Sequence, residues 1–132
     1  MSTNRAILIV DDEAIILVAL RQSLRAALGS SFRYEIAMNA AEALAVINDL
    51  SSRGVRVELV ISDWLMPGMK GDEFIMKVRE SDPAVRTILV SGQTDENHLE
   101  KLKSSGALDL FMNKPWDDKT FAVSCRRLLG EV

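Results

Sequence analysis

Cysteine is nearly absent: Cys125 is the only one in 132 residues, so no disulfide framework holds this chain together. Histidine is as scarce. With His98 alone, a His/Cys zinc cluster is excluded too. Glycine and proline number 7 and 3, too few for a collagen-like or low-complexity chain. Neither sign of charge dominates: 16 Lys and Arg against 19 Asp and Glu leave −3, which weakens any reading built on a basic nucleic-acid-binding surface. No apolar run approaches the ~20 residues of a membrane-spanning helix, and the start from Met1 to Arg5 lacks the apolar core of a signal peptide. The expected location is therefore the cytoplasm. What is present is 48% hydrophobic and 27% charged, the profile of an ordinary folded globule. Residues 1–132 are expected to form one domain with a core over about 5–130.

Five apolar β-type runs alternate with helical runs. The strands are expected at Ala6–Val10, Phe32–Ala37, Val57–Ile61, Thr87–Val90 and Leu108–Met112. Between them, Glu13 to Leu28 reads as a helix closed by Gly29, with Ile16, Leu20 and Leu24 as its buried stripe. Asn39 and Glu42 make a capping box for the second helix, which runs to a turn at Ser51–Gly54. Asp72 is the expected cap of the third, which ends before Pro83. A polar fourth helix covers about Asp95 to Ser105, and an amphipathic fifth covers about Asp118 to Leu129. Strict β-α alternation with short connections predicts a doubly wound α/β fold with a five-stranded parallel sheet. Strands one, three and four are continuously apolar, as central strands are, whereas strand two alternates clearly and strand five partly. That texture gives the order 2-1-3-4-5, which is flavodoxin-like.

In such a sheet every strand ends at one edge, where ligands bind. Asp11 and Asp12 follow strand one, Asp63 follows strand three, Ser91 follows strand four and Lys114 follows strand five. Alone, the Asp pair reads equally well as a helix cap and Lys114 as a solvated lysine; in register, the set suits one chemistry. Three carboxylates crowded together repel unless neutralised, and carboxylate oxygens are what Mg²⁺ uses. A carboxylate can also be a nucleophile toward phosphorus, which asks for charge neutralisation more than for a proton-transfer base. Lys114 and Ser91 would then hold phosphoryl oxygens.

The motifs Val10-Asp11-Asp12-Glu13, Asp63-Trp64-Leu65-Met66-Pro67-Gly68-Met69-Lys70-Gly71, Ser91-Gly92 and Phe111-Met112-Asn113-Lys114-Pro115 stand in order at strand ends. Together they resemble the CheY-like receiver domain of response regulators. That resemblance implies Asp63 as phosphoacceptor, and Asp11 and Asp12 as the acidic pair for Mg²⁺, with the Leu65 carbonyl as a further ligand. It also implies Ser91 as the switch hydroxyl, Lys114 as its partner at the phosphoryl group, and a peptide bond before Pro115 that is cis. Phe111 stands where the family has its switch aromatic, without a phenolic hydroxyl, so a rotamer switch here would act by packing alone. The implied donor is a histidine kinase or histidine phosphotransfer protein, docking near Ile15 and Val18 on helix one, where burial is the competing reading. The signal would pass to a downstream effector or fused output module, with no direct contact to nucleic acid or membrane. Leu65 and Gln93 would flank the approach of a hydrolysing water, and the apolar Leu65 implies a slowly lost phosphate.

Other readings fit less well. A flavin site wants a hydroxyl- and glycine-rich loop after strand one, but Asp11-Asp12-Glu13 repels phosphate. An aspartate-nucleophile phosphatase wants an Asp-x-Asp pair after one strand, which is absent. A degenerate receiver acting without phosphorylation is the remaining alternative. His98 reads as a surface residue and Cys125 as core. Trp64 and Trp116, next to site residues, stay open between lid, partner contact and loop packing.

Overall fold

The computed structural model describes residues 3–92 and 96–130. Five strands, β1 (Arg5–Val10), β2 (Arg33–Ala37), β3 (Arg56–Asp63), β4 (Arg86–Ser91) and β5 (Leu110–Asn113), pair in parallel in the order β2-β1-β3-β4-β5. Five helices connect and cover them: α1 (Ala14–Leu28), α2 (Ala40–Ser52), α3 (Gly71–Ser81), α4 (Glu96–Ser104) and α5 (Asp118–Leu129). The sheet order and the edge positions of β2 and β5 agree with the sequence expectation.

The sheet divides the core in two. Ile7 and Ile9 of β1 and Leu59 and Ile61 of β3 pack with Leu17, Leu20 and Leu24 of α1 and Phe121 and Cys125 of α5. Ala6, Leu8 and Val10 face the other way, onto Ala40, Ala43 and Leu50 of α2, Phe74, Ile75 and Val78 of α3, and Leu99 and Leu102 of α4. The alternation of β1 side chains thus feeds both layers, which is why its sequence is apolar throughout. Cys125 is fully buried, and burial pushes its thiol up to about 12, so it packs as an inert apolar group.

Several boundaries differ from expectation, each for a local reason. In α1 the buried residue is Leu17 and Ile16 is only partly covered. Ile15 to Val18 are four consecutive apolar residues, so their order alone does not fix which one points inward. Helix α3 begins at Gly71 with Lys70 as its N-cap, not at Asp72. Phe74 N bonds Lys70 O at 3.0 Å and closes the first turn two residues earlier than a cap at Asp72 would, leaving Asp72 inside it, where a carboxylate still favours the helix dipole. Strand β5 starts two residues late, at Leu110, because Asp109 turns into a polar network: its N–H bonds Thr87 O at 3.1 Å, and its carboxylate takes Arg79 at 2.7 Å and Thr87 N at 2.9 Å. A 3-10 turn at Gly29–Ser31 delays β2 to Arg33. Register slips between Ala6 and Ile7, so that Glu58 has no β1 partner and its carboxylate receives Arg5 bidentately at 2.7 and 3.1 Å. The Asn39 cap is as expected, its Oδ1 accepting from Glu42 N at 2.8 Å. Asp95 and Gln93 lie outside the described residues.

Candidate functional site

The C-terminal ends of β1 and β3 are neighbours, with Val10 paired to Ser62, so the residues just beyond them meet. Carboxylate oxygens of Asp11, Asp12 and Asp63 lie within 4.8 Å of one another. Asp11 and Asp63 are buried, whereas Asp12 is exposed. The cluster therefore has two fixed members and one open to solvent. Asp11 is further held because its Oδ1 accepts from Glu13 N at 2.9 Å, at the start of α1. Asp63 is held in the same way, Oδ1 accepting from Trp64 N at 2.9 Å.

Lys114 reaches across from the end of β5. Its Nζ donates to Asp11 Oδ2 at 2.9 Å, stands 3.4 Å from Asp63 Oδ1 and lies 3.9 Å from Glu13 Oε1. Its own backbone N–H donates to Ser91 O at 3.0 Å, and the Lys114–Pro115 peptide bond is cis. Burial alone would pull the lysine down, but its bonds and ion pairs with Asp11 and Asp63 outweigh that and hold it above the ordinary lysine value. Asp63 is raised above the usual carboxylate range by burial first and the Asp11 charge second, against the opposing pull of Lys114 and the Trp64 amide. The phosphoacceptor candidate is thus a carboxylate in a dry, negatively charged place with one cation beside it.

This donor set fits a hard divalent cation. All three side chains offer oxygen, one faces water, and an oxygen-rich site that keeps several waters is what Mg²⁺ prefers.

Ser91 is buried at the end of β4, paired in register with Asn113 of β5. Phe111, two strand positions before Asn113, is half-buried and meets the indole of Trp64 edge-on, with centroids 6.2 Å apart at 80°. Trp64 is itself buried, which decides its role in favour of packing. Trp116 packs onto Phe121 with centroids 6.3 Å apart and donates to Asp118 Oδ1 at 3.1 Å. Ile15 and Val18 project from α1, 76% and 42% exposed, so simple burial does not explain them. Leu65 is exposed beside Asp63, and His98 is exposed on α4. Glu13, read in the sequence only as the end of the acidic motif and the start of the first helix, contributes a backbone donor to Asp11 and a carboxylate near Lys114. Its acidic position directly after the Asp pair was the available signal.

A five-stranded parallel sheet in the order 2-1-3-4-5, with an acidic cluster where β1 and β3 end, defines a flavodoxin-like α/β module. Residues 7–125 match the response regulator receiver domain, and the chain belongs to that family, a signalling module rather than a classical enzyme. It is 32% identical over 117 residues to the two-component response regulator ARR16 of Arabidopsis thaliana, covering 83% of this chain and 71% of that protein. It is 32% identical to the hydrogenase transcriptional regulatory protein HoxA of Cupriavidus necator, over 100% of this chain and 27% of that one. With the sensor kinase CckA of Brucella abortus it shares 26% identity over 98% of this chain and 13% of the kinase, so the chain spans only a fraction of those longer relatives. In structure it superposes on the signal receiver domain of an HD domain-containing protein from Pseudomonas fluorescens Pf-5, with a TM-score of 0.82 at 29% identity, covering 98% of this chain and 90% of that one. Among the described residues no helix is long and apolar enough to cross a membrane.

Proposed function

We propose that this domain accepts a phosphoryl group on Asp63 from the phosphohistidine of a histidine kinase or phosphotransfer protein, with Mg²⁺. One observation carries the reading: Lys114 bridges Asp11 and Asp63 in a cluster whose third carboxylate, Asp12, is open to solvent. An Asp63 carboxylate oxygen attacks phosphorus, the donor's P–N bond breaks, and the imidazole leaves with its electron pair and is protonated. Asp11, Asp12, Asp63 and the Leu65 carbonyl would hold the metal, which supplies positive charge against the phosphoryl oxygens. Lys114 takes up the same negative charge from the other side, exchanging part of its contact with Asp63 for the new group. Ile15 and Val18, exposed on the helix that Glu13 starts, form the apolar contact for the donor.

Phosphorylation then biases a two-state equilibrium in which Ser91 turns toward the phosphoryl oxygens. Phe111 is the coupled element. It has no hydroxyl to exchange, and its edge contact with Trp64 ties its rotamer to the residue that follows Asp63. The surface that changes is that of α4, β5 and α5, offered to an effector or a fused output module.

The test is treatment with Mg²⁺ and phosphoramidate followed by intact-mass measurement. Wild type gains one phosphoryl mass and Asp63→Asn gains none while keeping its fold. Equal labelling of the two proteins, or none of wild type, refutes the assignment. A degenerate receiver acting only by unmodified contacts predicts the latter result.

A further inference from the structure

The peptide unit joining Asp63 to Trp64 is held on several sides. Its N–H donates to the Asp63 side chain, from Trp64 N to Oδ1 at 2.9 Å. Its carbonyl oxygen accepts from the hydroxyl of Ser62 at 2.9 Å, and Ser62 is fully buried. Against the same carbonyl lies Gly71, the first residue of α3. A Cβ at position 71 would run into Asp63 O and come within 2.9 Å of Trp64 Cα and 3.0 Å of the Asp63 carbonyl carbon. Gly71 N also donates to Trp64 O at 2.8 Å, which closes the loop from Trp64 to Lys70 at its base.

Gly71 is not among the glycines with positive φ, which are Gly29, Gly54, Gly68, Gly106 and Gly130. Backbone conformation therefore does not require glycine here; the missing volume does. No other glycine of the chain has an atom within 4 Å of the place its Cβ would occupy. The end of α3 thus presses directly on the peptide whose N–H orients the Asp63 carboxylate. Tilting that peptide turns the N–H, and the carboxylate bound to it turns as well.

We propose that Ser62 and Gly71 are positioning residues for Asp63, clamping the Asp63–Trp64 peptide so that the carboxylate is aimed at the incoming phosphorus. This rests on the phosphoacceptor reading above. Neither residue touches the phosphoryl group. Ser62 fixes the carbonyl by a hydrogen bond and Gly71 fixes it by leaving just enough room for α3 to seat.

The experiment follows Asp63 labelling of the full chain by intact mass at saturating Mg²⁺ and phosphoramidate. Gly71→Ala and Ser62→Ala are compared with wild type and with Gly106→Ala. Gly106 has φ +77° and open space around its Cβ position, so alanine there strains the backbone without touching the Asp63 peptide. Because a misplacement of about 1 Å can cost ~100-fold, the plateau labelling rate should fall by about 10- to 100-fold in Gly71→Ala and about 10-fold in Ser62→Ala. Gly106→Ala should label at the wild-type rate despite its lower melting temperature. The Trp64 amide proton resonance, a reporter of its bond to Asp63 Oδ1, should shift in both clamp variants and not in Gly106→Ala. Wild-type labelling rates in folded Gly71→Ala and Ser62→Ala overturn the proposal, as does an equal slowing in Gly106→Ala. Where Gly71→Ala does not fold, Ser62→Ala decides by rate and amide shift. Failure of wild type to label defeats the phosphoacceptor reading instead, and an unmoved Trp64 amide in Ser62→Ala then separately defeats the clamp.

Discussion

Replacing Asp12 by Asn separates the metal-site reading from ordinary surface charge. Asp12 contributes two of the three repulsions in the cluster, with Asp11 and with Asp63, at oxygen separations within 4.8 Å. A unit-charge pair at that spacing repels by about 0.9 kcal/mol in a water-like dielectric and about 3.5 kcal/mol at an effective value of 20. Asp12 is exposed, so the lower figure applies and the metal-free protein should gain about 1–2 kcal/mol in Asp12→Asn. For a chain of this size that raises the melting temperature by about 3–8 °C. Mg²⁺ acts in the opposite sense on the pair of proteins. At a hundredfold excess over Kd it stabilises wild type by about 2.7 kcal/mol; a variant binding tenfold more weakly gains about 1.4 kcal/mol at the same concentration. Thermal melts across a Mg²⁺ titration, at ionic strength matched with NaCl, read both effects, and the two curves should converge as metal rises. A wild-type melting temperature that ignores Mg²⁺, or an Asp12→Asn protein with the same metal-free stability and the same metal response, refutes the reasoning.

Four further outcomes follow from other parts of the molecule. Asp63 has its carboxyl raised on folding, so the native state holds that proton more tightly than the unfolded chain; its contribution to metal-free stability is full below the ordinary carboxyl value of about 3.9 and is lost as pH rises through the raised one. Acid titration of wild type against Asp63→Asn should show that extra loss only in wild type, and parallel curves would count against it. Lys114 is raised too, so its share persists up to the ordinary lysine value near about 10.4 and is lost above its raised value, which an alkaline melt series of Lys114→Met checks by lacking that step. Arg79→Met removes donors from Val85 O, Gly106 O and the largely buried Asp109 carboxylate, at a cost of about 2–3 kcal/mol, yet leaves the Mg²⁺-induced shift unchanged because the network lies at the opposite edge of the sheet. Leu65→Asn puts a polar group where an exposed leucine now stands beside Asp63, and loss of labelled phosphate at fixed Mg²⁺ should be faster than in wild type; an equal or slower rate rejects apolar shielding by Leu65.

The element order was legible because each strand is a short apolar run and each helix carries its own stop or cap, such as Gly29 and Asn39. The site was legible for a topological reason: a parallel sheet sends Asp11, Asp63, Ser91 and Lys114 to one edge whatever their side chains do. What stayed hidden depends on contacts between distant parts of the chain. Residues Ile15 to Val18 look alike in sequence, and only packing on the sheet selects Leu17. The late start of β5 comes from Arg79, 30 residues upstream of Asp109, binding backbone carbonyls that no residue pattern advertises. Trp64 could not be assigned until Phe111 was found against it. Gly71 reads as one more turn glycine in a Pro-Gly loop, because the carbonyl it makes room for leaves no mark on the sequence.

In the proposed phosphoacceptor reading, one lysine and one divalent cation have complementary places in the site. Asp11, Asp12 and Asp63 bring three carboxyl groups together, and Lys114 is the cation that reaches two of them. Lys114 lies between Asp11 and Asp63, 2.9 Å from the one and 3.4 Å from the other. In that reading, a metal at the solvent-open side would relieve Asp12 and let Lys114 keep Asp11 as its fixed partner, while its longer contact to Asp63, 3.4 Å against 2.9 Å, would be the one exchanged. A phosphoryl group on Asp63, as proposed, would bring new negative charge to the place where that longer contact ends. In the proposed reading the longer of the two contacts is the one exchanged: a phosphoryl group on Asp63 would draw Lys114, and Ser91, whose backbone carbonyl accepts from Lys114 N, would respond with it.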